Sequence, residues 1–173
     1  MIVRADDDSR LRACFEKLDA LAAVKASDLQ TESRLRPLAV LDTNVILDLW
    51  YWNDPQCLRL KQAVESGEVR IVASPSCFKE LAAVLVRPAF QLTCDEQKAI
   101  LDKMLSLAVT ARTESPSPIR CRDREDEKFL ALAFETRADF LFTKDKHVLK
   151  AGRKLKKQST ATLRPADFDK SNA

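Results

Sequence analysis

The sequence predicts an α/β fold in which a mainly parallel sheet is covered on both faces by helices. Two observations predict it. Apolar strand-like runs, "LAVL" at 38–41, "VRIVA" at 69–73, "FLFT" at 140–143 and "STATL" at 159–163, alternate with helical patterns at 55–66, 75–87, 94–107 and 126–137. At 173 residues the chain suits one domain with a real core plus an appendage, and is short for two ordinary domains. In such folds ligands sit beyond the carboxyl ends of the strands, so the test of a site is whether polar residues collect there.

The elements divide at about residue 36. From Ser9 to Val24, Leu11, Cys14, Phe15, Leu18, Leu21 and Ala22 recur at helical spacing, with Ser9 as the expected N-cap. This helix has nothing local to pack on. It could lie across the domain, mediate dimerisation or hold a partner. "KASDLQTESRLRP" at 25–37 reads as a polar linker, which gives an N-terminal helical extension over 1–36 and a main domain over 37–170.

Composition removes several classes of function. Hydrophobic content of 46% with 32% charged residues is globular, and no 18-residue apolar run exists to span a bilayer. The start "MIVRADDDSR" has acids where an export signal needs a basic and then an apolar stretch, so a cytoplasmic protein away from the membrane is expected. Five scattered cysteines without a C-x-x-C pair argue against a disulfide framework or a zinc site and are expected to be reduced and mostly in the core. Gly67 and Gly152 are the only glycines, so glycine-rich nucleotide loops cannot be built. His147 is the only histidine, which removes histidine-centred metal sites and disfavours His-dependent triads. Whatever chemistry there is must run on carboxylates.

Those carboxylates stand at the strand ends. Asp42 closes "LAVL" and Asp145 lies two residues past "FLFT". Either could simply cap the following helix. In "SPSCFKELAAVL", Ser74 and Pro75 start a helix, and Glu80 falls at the border of its apolar arc beside Val84. In "CRDREDEKFLALAF", Phe129, Leu130, Ala133 and Phe134 define the buried stripe. On a helical wheel Asp126 falls near its middle, Glu127 at its flank, and Lys128 points away. A dipole contact explains an exposed acid in a first turn but not one aimed at the core side. Asp123 can point the same way if that turn is helical.

Asp42, Glu80, Asp123 or Asp126, and Asp145 therefore come from four segments and can converge at one end of the sheet. Crowded like charges destabilise a fold unless a cation offsets them, and hard oxygen donors suit Mg²⁺ or Mn²⁺. Asn44 and Thr143 could add neutral oxygens or hold a carboxylate in place. Such a cage suits attack of water on a phosphodiester. The stretch from Lys144 to Lys157 has seven Lys or Arg residues and one acid, and Lys144, Lys146, Lys150 and Arg153 are its candidate RNA contacts. Trp50, Tyr51 and Trp52 could stack unpaired bases, or form a packed loop.

At these residues the chain resembles the PIN-domain ribonucleases. "VLDTNVILD" looks like the family's opening motif, "SPSCFKELAAVL" its second acidic element, and "CRDREDEKFLALAFETRADFLFTKDKHVL" its long third element ending in T-x-D. "TLRPADF" is similar to the closing strand, so the resemblance covers about 38–168. It implies a three-layer α/β/α sandwich, a Mg²⁺ or Mn²⁺ site, and cleavage of RNA. It also implies membership of a bacterial subgroup that includes toxins restrained by a cognate antitoxin, and a homodimer. Carried over by residue, Asp42, Glu80 and Asp126 become the central acids and Asp123 and Asp145 further ligands, with Asn44 and Thr143 in support. Arg124 and Glu125 stand where the family often has proline and aspartate, which leaves Asp126 or Glu127 for the inner position. The expected function is a metal-dependent endoribonuclease, the toxin of a toxin–antitoxin pair. A non-catalytic nucleic-acid-binding or adaptor domain is the alternative. An aspartyl phosphatase would need an acid where Asn44 stands.

Overall fold

The structure, a computed structural model, describes residues 5–29 and 35–169. The chain runs α1 (Ala5–Asp19), β1 (Val24–Lys25), β2 (Leu38–Leu41), α2 (Thr43–Trp50), α3 (Leu58–Glu65), β3 (Arg70–Ala73) and α4 (Pro75–Leu85). It continues through α5 (Cys94–Leu107), β4 (Ala108–Arg112), α6 (Glu127–Thr136), β5 (Phe140–Phe142), α7 (Lys146–Gly152) and β6 (Ala161–Leu163), with short 3₁₀ turns between. The six strands form one parallel sheet in the order β1-β4-β3-β2-β5-β6.

That order follows from two opposite runs of crossovers. From β2 the chain steps outward through β3 to β4, then returns to lay β5 and β6 on the other side of β2. Right-handed crossovers running in opposite directions put their helices on opposite faces, which gives the three-layer α/β/α sandwich. The central strands are covered on both sides. All four residues of β2 and all three of β5 are buried. The sheet closes at β6, where Phe168 is buried edge-on against Phe140 and Phe142 at 5.8 and 5.6 Å, with the Arg59 guanidinium 5.3 Å from its ring.

The four expected strands are present, and α3 to α6 fall within the expected helical patterns. Two strands were not expected. β4, "AVTAR", lacks a strong apolar run, and its strand form is imposed by pairing with Ile71–Ala73 of β3. β1 lies inside the presumed linker boundary, where Val24 and Lys25 pair with Ala111 and Arg112. Of the rest of that linker, Ala26–Asp28 form a 3₁₀ turn with Ala26 and Leu29 buried in the core, and residues 30–34 fall outside the described residues.

The N-terminal helix is shifted relative to its sequence pattern. It begins at Ala5, so Ser9 lies within it rather than capping it, and it ends at Asp19 because the chain must turn to enter β1. It lies across the domain against α4, with Leu18 buried in the common core and Asp19 paired with Lys79 at 2.6 Å. No helix among the described residues is long and apolar enough to cross a membrane. All five cysteines are free. Cys57 and Cys77 are buried as expected, whereas Cys94, at the first turn of α5, is exposed.

Gly152 marks a close approach of α7 to β6. A Cβ there would stand 2.3 Å from Thr162 Oγ1 and 2.6 Å from its Cγ2. Thr162 is β-branched and has few ways to yield. Gly152→Ala should therefore lower the urea unfolding free energy by about 1–3 kcal/mol, and adding Thr162→Ala should recover most of the loss.

Candidate metal centre

β2 is where the sheet order reverses direction, so the crevice beyond its carboxyl end is the natural site of this fold. Asp42 stands there, 3% exposed, as the N-cap of α2. Its Oδ1 accepts the backbone N–H of Asn44 at 3.3 Å, and its Oδ2 accepts the Thr143 hydroxyl at 2.6 Å. The same Thr143 Oγ1 accepts the backbone N–H of Asp145 at 3.0 Å. Asp145 in turn caps α7, with its Oδ1 accepting the N–H groups of His147 and Val148 at 2.6 and 3.0 Å. For both aspartates, capping a helix and facing the crevice are one arrangement, because each strand end is also a helix start.

Asp126 differs. It immediately precedes α6 with helical backbone angles, and its carboxylate caps nothing. Burial first, then the charges of Asp42, Asp123, Asp145 and Glu80, push its pKa up to about 6. Burial also raises Asp42, partly offset by its bonds to Thr143 and Asn44, with Glu80 and Asp145 adding to the rise. The fold thus brings Asp42, Glu80, Asp123, Asp126 and Asp145 into one electrostatic neighbourhood. Asp123 is the most open of them, with its Oδ1 accepting the N–H of Glu125 at 2.9 Å.

Hydrogen bonding distinguishes Asp126 from Glu127. Glu127 accepts the N–H of Cys121 at 3.1 Å and pairs with Arg120 at 3.1 Å, and these bonds hold its carboxyl below the usual range. Asp42, Asp123, Asp145 and Glu80 act on Asp126, whereas the charges acting on Glu127 are those of Arg120 and Arg124. Lys128 departs from the helical-wheel expectation. Rather than pointing away, it crosses to α4, pairs with Glu80 and donates to the carbonyl of Glu125. A wheel treats one helix alone and is blind to a carboxylate on its neighbour.

A second group was missed in the sequence. Asp48, Asp54 and Cys57 place potential ligand atoms within 4.8 Å of one another. Lys144 already fills that space, with its ammonium 2.7 Å from Asp48 and 2.9 Å from Asp54. Burial opposes the lysine's charge, yet the bonds to Asp48 and Asp54 outweigh it and hold its pKa above the ordinary value. Burial pushes the Cys57 thiol up to about 11, so it is a neutral thiol and a poor ligand. This group is a structural ion pair bracing the β5–α7 loop against α2. Its sequence signal was Asp48 itself, an acid between the buried Leu47 and Leu49.

Lys144 is therefore committed to carboxylates. Lys146 and Lys150 are exposed on α7. Arg153 lies past the far end of that helix, roughly 10 Å along its axis from Lys146. The aromatic run packs locally. Trp50 donates to Glu65 at 3.0 Å, Tyr51 donates to the carbonyl of Phe90 at 2.9 Å, and Trp52, 52% exposed, leans on Tyr51 and Phe90.

The principal acid cluster offers only oxygen donors, carries excess negative charge, and has a buried Thr43 hydroxyl without a hydrogen-bond partner beside Asp42. That donor chemistry fits a hard divalent cation such as Mg²⁺ or Mn²⁺. A family model described as PIN domain matches residues 38–147, which spans β2 to the start of α7 and includes all five acids. PIN domains are generally nucleases and typically use divalent metal ions. No curated protein matches the chain.

Two outcomes follow from these charges. Because the folded state holds the Asp126 proton more tightly than the unfolded chain, stability is lost as pH rises from about 4 to about 6 and stays lost above that. Asp126→Asn should raise the unfolding free energy in EDTA by about 1 kcal/mol at pH 7.5, a figure discounted for partial exposure, and by nothing below pH 4. Lys144→Met should lower it by about 2 kcal/mol by leaving Asp48 buried and unpaired, less than a fully buried pair because Lys144 is partly exposed.

Proposed function

The chain belongs to the PIN-domain family, and from that premise we propose that it is a metal-dependent endoribonuclease acting as the toxin of a toxin–antitoxin pair. The observation that carries the nuclease reading is the convergence of five acids from four segments, with Asp126 raised to about 6 by burial and by the other four. Among the described residues, the ion pair that offsets that charge is Lys128 with Glu80. Asp42, Glu80, Asp126 and Asp145 would hold Mg²⁺ or Mn²⁺, with Asp123 as a further ligand. When bound, such an ion activates water and offsets charge on the leaving oxygen of a phosphodiester.

The protein's own contribution is placement. Thr143 fixes the Asp42 carboxylate and the Asp145 backbone through one hydroxyl. The hydrogen bonds to His147 and Val148 hold Asp145 at the mouth of the crevice. Lys146 and Lys150 supply exposed positive charge on the adjoining helix for the phosphates of an RNA strand. The toxin reading rests on the resemblance of the motifs to that subgroup. Arrest of growth on induction, relieved by a small protein encoded alongside, would support it.

A non-catalytic RNA-binding domain is the second reading. The Lys128 ion pair favours it, because an ammonium already neutralises one of the acids. Cleavage of a mixed single-stranded RNA separates the two. The wild type should cut with Mn²⁺ and stop in excess EDTA, and Asp42→Asn should lose about 100-fold or more. Thr143→Val should lose roughly tenfold while Thr143→Ser stays near wild type. At Mn²⁺ below saturation, metal binding and with it the rate should weaken as pH drops through about 6, where the metal-free Asp126 takes up a proton. RNA bound but uncut under all these conditions would hand the assignment to the binding reading.

A further inference from the structure

Beside the acid cluster lies a cleft of about 520 Å³ lined by Phe15, Ser76, Lys79, Glu80, Arg124 and Lys128, among others. One wall is α1, which precedes the matched residues 38–147. Phe15 is only half-buried, with the Lys79 ammonium 5.7 Å from its ring centre. Lys79 is fixed by Asp19 of the same helix at 2.6 Å. The opposite wall carries Arg124, which is exposed and within electrostatic reach of Glu127, and the acid Glu125 beside it. The floor is the Glu80–Lys128 pair, which presents an ammonium where a bare carboxylate would repel an anion.

An aromatic face, an exposed guanidinium and a hydroxyl around a cleft of this size match one chemical class, a nucleotide of a single strand. A base has a π-face to lay on Phe15, and its phosphate is an anion for Arg124. The cleft shares Glu80 with the acid cluster, and Arg124 and Glu125 directly precede Asp126, so a nucleotide held there adjoins the reacting phosphate.

We propose that this cleft is a subsite for the single-stranded RNA nucleotide next to the cleaved bond, its base stacked on Phe15 and its phosphate held by Arg124. The inference rests on the ribonuclease reading for its position in the substrate, though not for binding itself. It gives the N-terminal helix a part in substrate selection: helix α1 supplies a wall of the site as well as packing against α4.

The test measures binding of a fluorescein-labelled single-stranded RNA octamer by anisotropy, in the full-length chain carrying Asp42→Asn so that the strand survives. Phe15→Leu keeps apolar volume but removes the π-face, and should weaken binding about tenfold, whereas Phe15→Trp should hold or tighten it. Arg124→Ala should weaken binding and lower the salt slope by about one ion. Equal affinities for the leucine and tryptophan variants, at whatever level, would overturn the subsite, because volume rather than stacking would then be all that matters at residue 15. Wild-type cleavage with Mn²⁺ is scored in parallel. Cutting with equal affinities removes the subsite and keeps the nuclease, and Phe15-dependent binding without cutting does the reverse.

Discussion

A buried carboxylate at the end of the central strand is the constraint around which this molecule is arranged. Asp42 is 3% exposed, and an anion taken that far from water must be hydrogen-bonded to persist. The Thr143 hydroxyl and the first turn of α2 meet that requirement. Thr143 is fully buried and serves two partners, so β2 and β5 must lie side by side in the register that places their carboxyl ends together. The sheet order, with β2 at the reversal, is what makes that neighbour available.

Charge in the rest of the crevice divides into two kinds. Asp48 and Asp54 have their cation built in, and Lys144 bridges them. This resembles a metal site by distance alone, but an ammonium stands where an ion would. Among the described residues the acids around Asp126 have no such counterpart beyond Lys128, and burial followed by repulsion raises the Asp126 pKa to about 6. A protein that keeps an uncompensated cluster gives up stability there, which is how functional sites commonly stand apart from structural ion pairs. Adjacent residues thus serve opposite ends: Lys144 braces the β5–α7 loop, and Asp145 holds its carboxylate at the crevice.

The N-terminal helix links fold and site in a way its pattern did not show. Its apolar face had no partner nearby in sequence, and α4 proves to be that partner. Because α4 also carries Glu80, the docking of α1 brings Phe15 to the edge of the acid cluster. The cleft formed there belongs neither to the helix nor to the sheet alone.

The residues by themselves determined the parallel α/β class, the four central strands and the acids at their ends. These follow from local pattern, since apolar runs, helical periodicity and caps are properties of neighbouring residues. The sequence left Asp126 and Glu127 unresolved, turned Lys128 outward, left Lys144 and Arg153 without a place, and missed β1 and β4. Only tertiary structure decided these, because each depends on a partner distant in sequence. The Cys121 backbone and Arg120 capture Glu127, Glu80 draws Lys128 inward, and Asp48 and Asp54 claim Lys144. The length of α7 carries Arg153 away from the acids, and β3 supplies the hydrogen bonds that make "AVTAR" a strand. A side chain's charge is written in the sequence, but where it is neutralised depends on what the fold sets beside it.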